Sequence, residues 1–377
     1  MSEAESWRVG VLFSRSGAMA VSESEHFFGT ALAIEEINRA GGVLGLPIDA
    51  ISYDPGSDEQ DYNRLAHQLL ADDGASVIFG CSTSQCRKAV LKVVERRNGL
   101  LWYPSLYEGF EYSPNVLYTG AAPNQTIVPL AGWLARNAQL RIYCIGSDYI
   151  YPRESNRVMR ELVDQLGGEI LREVYVPFGA GAAELRPLLA DIAERKPDVV
   201  LSTVVGVTAQ AFYRMYHAAG FDPAKMPIVS MTMAEGEAAA IGAEYCAGHI
   251  TAATYFASLP GETNARFCAA FRSRFGADTP ISMWSQGAYS QVYLFAQALA
   301  RAGTTDTDAL VQAALGVGMD APEGRVMIDA DNHHTWLRPR IGMLDQTGNF
   351  QLLWEARAPV RPDPYLTSYG PVETWLD

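Results

Sequence analysis

The sequence predicts an α/β protein built from two doubly wound parallel-sheet lobes with a ligand cleft between them. Three observations predict this. Short apolar runs alternate with helical patterns from residue 8 onward, the grammar of βαβ units and of a parallel sheet covered on both faces. The same alternation restarts at "RIYCIG" (141–146), as though a second sheet began there. A length of 377 residues also exceeds what one ordinary core organises.

The elements follow in order. "RVGVLF" (8–13) is a first strand, and a helix near 23–40 places Phe27, Ala31, Ile34 and Ile37 on its apolar side. "AGGVLGLP" stops that helix with the Gly and Pro expected beyond a C-terminus. "IDAISY" (48–53), a helix over 58–74, "SVIFG" (76–80), a helix from Ser84, "LLWYPS" (100–105) and "VLYTG" (116–120) complete the first half. The second half reads strand 141–146, helix 153–166, strand 169–176, helix 181–195, strand 198–206, helix 207–219, then strands 227–231 and 249–256. The tail has helices near 264–275, 283–301 and 306–315, then the strand-like pieces "RVMID", "TWLRPRIGML" and "FQLLW". It is too fragmentary for a third core, so the spacing predicts that it completes the two lobes.

Bulk chemistry narrows the function. Apolar content of 48% with 19% charged residues describes a folded globular chain. A formal net charge of −14 speaks against direct nucleic-acid binding, which relies on clustered Lys and Arg. "MSEAESWRVGVLFS" has no basic n-region, apolar h-region or small-residue cleavage site, and no apolar stretch reaches the ~20 residues that span a bilayer. Cysteines stand at 81, 86, 144, 246 and 268, with Cys144 and Cys268 in apolar runs that predict buried thiols. The expectation is a reduced, cytoplasmic protein; with a leader upstream the same chain would be periplasmic.

In open α/β sheets, ligands bind beyond the strand C-termini. That rule marks Ser82, Thr83 and Ser84 after one strand, and Tyr103, Ser105, Leu106 and Tyr107 after the next. In the second half it marks Tyr149 and Tyr151, then Val205 and Gly206, then Thr232, Met233 and Glu235. Hydroxyls and aromatic rings with few formal charges suit a small, uncharged, hydrogen-bonding ligand. Catalytic chemistry finds no footing. There is no G-x-G-x-x-G after the first strand, no phosphate-cradling G-x-x-x-x-G-K-[ST] and no G-x-S-x-G elbow. Cys81 and Cys86 read as a strand-end thiol and a helix thiol, and His333–His334 as a solvated or turn pair rather than a metal site. Asp148 reads as a helix cap, and Glu108, Arg153 and Glu154 as capping or lobe-bridging groups. No cofactor, metal or enzymatic activity is predicted.

The strings "VVERRNGLLWYPSLYEGFEYSPN", "APNQ", "IGSDYIYPRESN", "STVVG", "DNHHTW" and "RPDPY" resemble the AmiC-type cytoplasmic amide receptors, which negatively regulate aliphatic amidase operons. The similarity runs over essentially the whole chain. More broadly it extends to type I periplasmic solute-binding proteins, including branched-chain amino acid and urea receptors. The resemblance implies two lobes joined by three crossovers, 7–121 plus about 252–330 and 122–251 plus about 331–377. It implies a sensor that binds a small neutral amide and holds an RNA-binding antiterminator protein. On matching positions, Ser84, Tyr103 and Ser105 would hold the ligand from the first lobe, and Tyr149, Tyr151, Val205 and Thr232 from the second. Departures at Ser82, Ser105, Met233 and Ala234 leave amide against urea open. A urea or short-amide receptor of an ABC transporter is the alternative, and a homo-oligomer is left open.

Overall fold

The computed structural model describes residues 6–367. The first sheet is built from β1 (Trp7–Leu12), β2 (Ile48–Tyr53), β3 (Val77–Gly80), β4 (Leu100–Tyr103) and β5 (Val116–Tyr118), with α1 (Ala20–Arg39), α2 (Glu59–Ala71) and α3 (Ser84–Arg97) between them. Its order is β2-β1-β3-β4-β5, parallel throughout. Strands β3 and β4 are buried at every position, because helices cover both faces. Alternation decides which side chain meets which helix: Ile78 packs with Leu69 and Val90, while Phe79 meets Phe295 edge-on at 5.2 Å. Helix α2 is opened by Asp58, whose carboxylate accepts from the Gln60 and Asp61 amides, and α3 by Thr83, whose Oγ1 accepts from the Cys86 amide.

The chain then forms α4 (Ile127–Arg136), β6 (Arg141–Ser147), α5 (Ile150–Gln165), β7 (Glu169–Val176), α6 (Ala182–Arg195), β8 (Val199–Thr203), α7 (Gly206–Ala218), β9 (Ile228–Ser230), α8 (Glu235–Ile241), α9 (Ala243–Cys246) and β10 (Ile250–Ala253). After these come α10 (Glu262–Phe275), α11 (Met283–Ala302), α12 (Thr307–Ala314), β11 (Gly318–Ala321), β12 (Gly324–Ile328), β13 (Thr335–Trp336), β14 (Arg340–Leu344) and β15 (Phe350–Glu355). The second sheet runs β15-β14-β10-β9-β8-β6-β7, with β14 and β15 added antiparallel at one edge. Strands β11, β12 and β13 make a small third sheet.

Three details correct the sequence reading. "TWLRPRIGML" is not one strand: β13 pairs with β12 and β14 with β10, and Pro339 stands between them, where a missing N–H suits a break. Residues 334–336 lie against the first sheet, because His334 bridges Tyr118 of β5 and Thr335 Oγ1 donates to the Tyr118 carbonyl at 3.2 Å. The boundary drawn at 330 therefore falls too early, and residues 368–377 of that assignment lie outside the described residues. Helices α4, α8 and α9 and strand β11 have no counterpart in the sequence reading.

His333 and His334 are also corrected. Both are buried, not solvated. His334 stacks on Tyr118 with centroids 4.3 Å apart and meets the Tyr107 hydroxyl through Nε2 at 2.5 Å. Burial pushes its pKa down to about 4, so the ring is a neutral core group.

Candidate functional site

A cavity of about 560 Å³, including its solvent-open mouth, lies where the C-terminal ends of the two sheets face each other. From the first sheet it is lined by Ser82 and Thr83 after β3, Ser84 at the start of α3, and Ser105 and Leu106 after β4. Tyr149 and Tyr151 arrive from the end of β6, Val205 from the end of β8, and Thr232 and Met233 from the end of β9. Ser230 Oγ receives the amides of Thr232 at 3.1 Å and Met233 at 3.3 Å, which shapes that last turn.

Tyr103 is a correction. It does not line the cavity, because its hydroxyl donates to the Ser82 carbonyl at 2.7 Å and its ring sits edge-on to Tyr107 and Tyr118. A residue at the last position of a strand can point behind the cleft as readily as into it. Asp148 is another: α5 has no side-chain cap, and Asp148 instead pairs with Arg153 at 2.7 Å on the exposed surface.

The first-sheet wall is backed by a buried ionic network. Arg87 is fully buried; its Nη2 reaches Glu108 Oε1 at 3.1 Å and its Nε reaches Glu111 Oε1 at 2.8 Å. Its guanidinium also lies over the Tyr103 and Tyr107 rings, 4.9 and 4.7 Å from their centroids. Ser84 joins this network: its hydroxyl donates to Glu108 Oε2 and accepts from Arg87 Nη1 at 3.0 Å. Burial alone would raise Glu111, but Arg87 and Lys88 beside it hold the carboxyl at about 2.

The two halves touch around the cavity without side chains in the way. Gly206, at φ +62°, lies so near the Ala18 carbonyl that a Cβ would stand 2.4 Å from its oxygen. Gly236 on α8 meets Glu25 on α1 more closely, where a Cβ would stand 1.8 Å from Oε1.

A sequence model described as a periplasmic binding protein domain matches residues 7–370. The chain belongs to that family. Solved structures place the fold of this periplasmic binding protein in the same group. It is 22% identical to a solute binding protein of an ABC transporter from Rhodopseudomonas palustris BisB5, in complex with 3,4-dihydroxybenzoic acid; the TM-score is 0.86, over 95% of this chain and 99% of that one. The branched-chain amino acid transporter substrate binding protein LivJ from Streptococcus pneumoniae, in complex with isoleucine, is 18% identical with a TM-score of 0.79, over 95% and 100% of the two chains. These likenesses show the fold, that of a type I periplasmic binding protein. A limonene hydroxylase from Geobacillus stearothermophilus is 29% identical over 128 residues, which is 34% of this chain and 23% of that protein's length. Among the described residues, no helix is long and apolar enough to cross a membrane, and no His, Cys, Asp and Glu group is placed to hold a metal ion.

The binding protein's cavity has members that the sequence reading missed: Met19 just before α1, Ser22 on α1, Tyr213 on α7, Glu237 on α8 and Trp284 on α11. Met19 and Ser22 were reachable, since they follow the C-terminal end of β1 and obey the rule applied to the other strands. Trp284 was not, because nothing in its spacing says which end of α11 meets the cleft. Glu237 changes the chemistry expected. It is 9% exposed, it receives the Trp284 indole N–H at 3.1 and 3.2 Å, and burial pushes its pKa up to about 7. Burial likewise raises neighbouring Glu235 to about 8, and burial followed by Glu237 raises Glu25 well above the usual carboxylate range. No Lys, Arg or His stands among the lining residues. On the second-sheet side the hydroxyls of Tyr151 and Tyr213 are buried without an aligned hydrogen-bond partner, with Ser230 beside the second. Ser155 is near Tyr151, but its hydroxyl is also unpartnered, so the two are not aligned.

Proposed function

We propose that this protein is the solute-binding receptor of an ABC-type uptake system for a short amide or urea. The observation that carries the reading is the lining: Ser, Thr and Tyr hydroxyls, one buried carboxyl at Glu237, and no cation. A carboxylate solute placed there would find no positive side chain to offset its charge, and burying an unpaired charge costs several kcal/mol. A neutral solute with N–H donors and a carbonyl acceptor matches hydroxyls and carboxyl together. Tyr149, Tyr151, Leu106 and Met233 then wall in its apolar end and limit its length. Each further methylene changes affinity by only ~1–3 kcal/mol, so preference for the smallest solutes is graded. The test is a thermal-shift and calorimetric series of acetamide, propionamide, urea, isoleucine and 4-hydroxybenzoate. Amides or urea are expected to raise Tm by mass action; stabilisation by isoleucine or 4-hydroxybenzoate alone overturns the reading.

A second reading has one observation in its favour. All five cysteines are buried and unpaired, which suits a reducing compartment and hence a cytoplasmic amide sensor acting on an antiterminator partner. Pull-down of the co-expressed partner with and without acetamide decides it. An acetamide-sensitive complex selects the sensor; none selects the transport receptor. Ammonia release from acetamide or urea would refute binding without turnover.

A further inference from the structure

The cavity hydroxyls do not all have a proton to offer. Ser105 Oγ lies 3.2 Å from His26 Nε2, and His26 Nδ1 lies 3.0 Å from the Ser22 carbonyl oxygen. A carbonyl only accepts, so Nδ1 carries the ring proton and Nε2 is the lone-pair nitrogen. Ser105 must therefore donate inward, to His26, and at its 3.4 Å contact with Ser82 Oγ it can only accept the Ser82 proton. Burial pushes His26 down to about 3, and its ring is held between Phe13 at 5.1 Å and Trp284 at 5.4 Å, so a second ring proton is disfavoured. Ser84 is committed in the same sense. Its proton goes to Glu108 Oε2, an acceptor, and Arg87 Nη1 takes one of its lone pairs at 3.0 Å. One lone pair remains. Across the cavity, Glu237 receives one indole N–H and has acceptor capacity left over.

Resting on the reading of a small-solute cavity, we propose that Ser84 and Ser105 face the occupant as acceptors only, so the site reads N–H donors. Glu108 and His26 act as positioning residues that set this polarity from behind the wall. The solute class is one that brings an –NH2 group, and the carbonyl end of that solute turns to the free hydroxyls of Tyr151 and Tyr213. A methyl ketone has the shape of the corresponding primary amide but lacks its two donors, and it would leave these buried oxygens unpaired.

The test measures amide-to-ketone affinity ratios for two neutral isosteric pairs, acetamide with acetone and benzamide with acetophenone. Calorimetry or ligand-observed NMR on the full chain supplies the affinities. The wild type is expected to prefer the amide by about 100-fold or more. In Glu108→Gln, Arg87 keeps the amide oxygen on its side and turns the NH2 toward Ser84, whose proton must then point into the cavity. The ratio is expected to fall at least about tenfold while Tm stays close to wild type. If that variant does not fold, His26→Phe removes the acceptor behind Ser105 while retaining a ring against Phe13, and the same fall is expected. A ratio that is near unity in wild type, or unmoved in a folded variant, overturns the polarity assignment even if acetamide binds well. Preference for benzamide over acetophenone without any acetamide or urea binding sinks the short-solute reading and leaves the assignment standing. Binding of no amide at all overturns both.

Discussion

The two walls of the cavity are built on opposite plans. On the first-sheet side the polar side chains are anchored before a solute arrives: Ser84 by Glu108 and Arg87, Ser105 by His26, Ser82 by Ser105, Ser22 by the Met19 carbonyl and Thr83 by the start of α3. On the second-sheet side the hydroxyls of Tyr151 and Tyr213 are buried with no aligned partner, and Glu237 is a carboxyl raised by burial. One wall is satisfied and rigid; the other is left incomplete at a stability cost, since an unmade buried hydrogen bond costs about 1–3 kcal/mol. A receptor that must discriminate and still open benefits from that division. The anchored half fixes what is read, and the unsatisfied half gains from closing on it.

The strongest way to break the contrast is Arg87→Leu. It leaves Glu108 buried without a counter-charge and Glu111 with Lys88 alone, and a loss of about 3–5 kcal/mol in stability is expected, read from urea denaturation midpoints. A small shift would mean that the first wall is not held by this network.

The second comparison is by pH. Folded-state values near 7 for Glu23, Glu237 and Glu323 and about 8 for Glu235 lie above the unfolded ~4.3, so above that pH the folded protein binds more protons than the unfolded chain. Stability from these carboxyls is therefore present at low pH and lost as pH rises through 7 to 8. His26 and His249, both pushed down to about 3, act in the opposite direction, but only below ~6.5. Between pH 6.5 and 8 the carboxyls alone remain, and a net difference of about one proton there amounts to roughly 2 kcal/mol of lost stability. Tm should fall across that window, and Glu235→Gln should flatten the slope. A Tm that climbs instead would remove the raised carboxyls from the account.

Gly236→Ala tests the meeting of the two halves, because the added Cβ would collide with Glu25. Overpacking of this kind costs about 1–3 kcal/mol and should appear as weaker solute binding by calorimetry, with little change in far-UV circular dichroism. Tyr151→Phe removes an unpartnered hydroxyl. Stability should hold or rise slightly, while solute affinity drops by about 1 kcal/mol, the worth of one hydrogen bond. Arg157→Ala is the control and the smallest effect. Its ion pairs with Glu154 and Glu161 lie on the half-exposed face of α5, so both stability and affinity should stay within about 0.5 kcal/mol. Equal losses for Tyr151 and Arg157 would mean that the cleft lies elsewhere.

Most strands and helices were legible because each is a local pattern. A short β-branched and aromatic run such as "VIFG", bounded by turn residues, reads as a covered strand, and "IDAISY" matches β2 at both ends. Helix α4 was missed because "IVPLAGWLAR" is apolar on nearly every side and carries a Pro, so no 3.6-residue stripe stands out. Among site residues, those directly after a strand were legible, and Ser82, Ser84, Ser105, Leu106, Tyr149, Tyr151, Val205, Thr232 and Met233 all line the cavity. Tyr103 was misassigned because strand position does not say which way a terminal side chain turns.

The sequence by itself determined two α/β sheets, the strand ends that would meet, and a lining rich in hydroxyls and rings. These follow from periodicity and from the geometry of parallel sheets. Only the tertiary structure decided that Glu237 and Trp284 join that lining, that His333 and His334 are core groups, and which way the protons of Ser84 and Ser105 point. The reason is physical: a hydroxyl's polarity and a carboxyl's charge are set by neighbours distant in sequence, and folding alone chooses those neighbours.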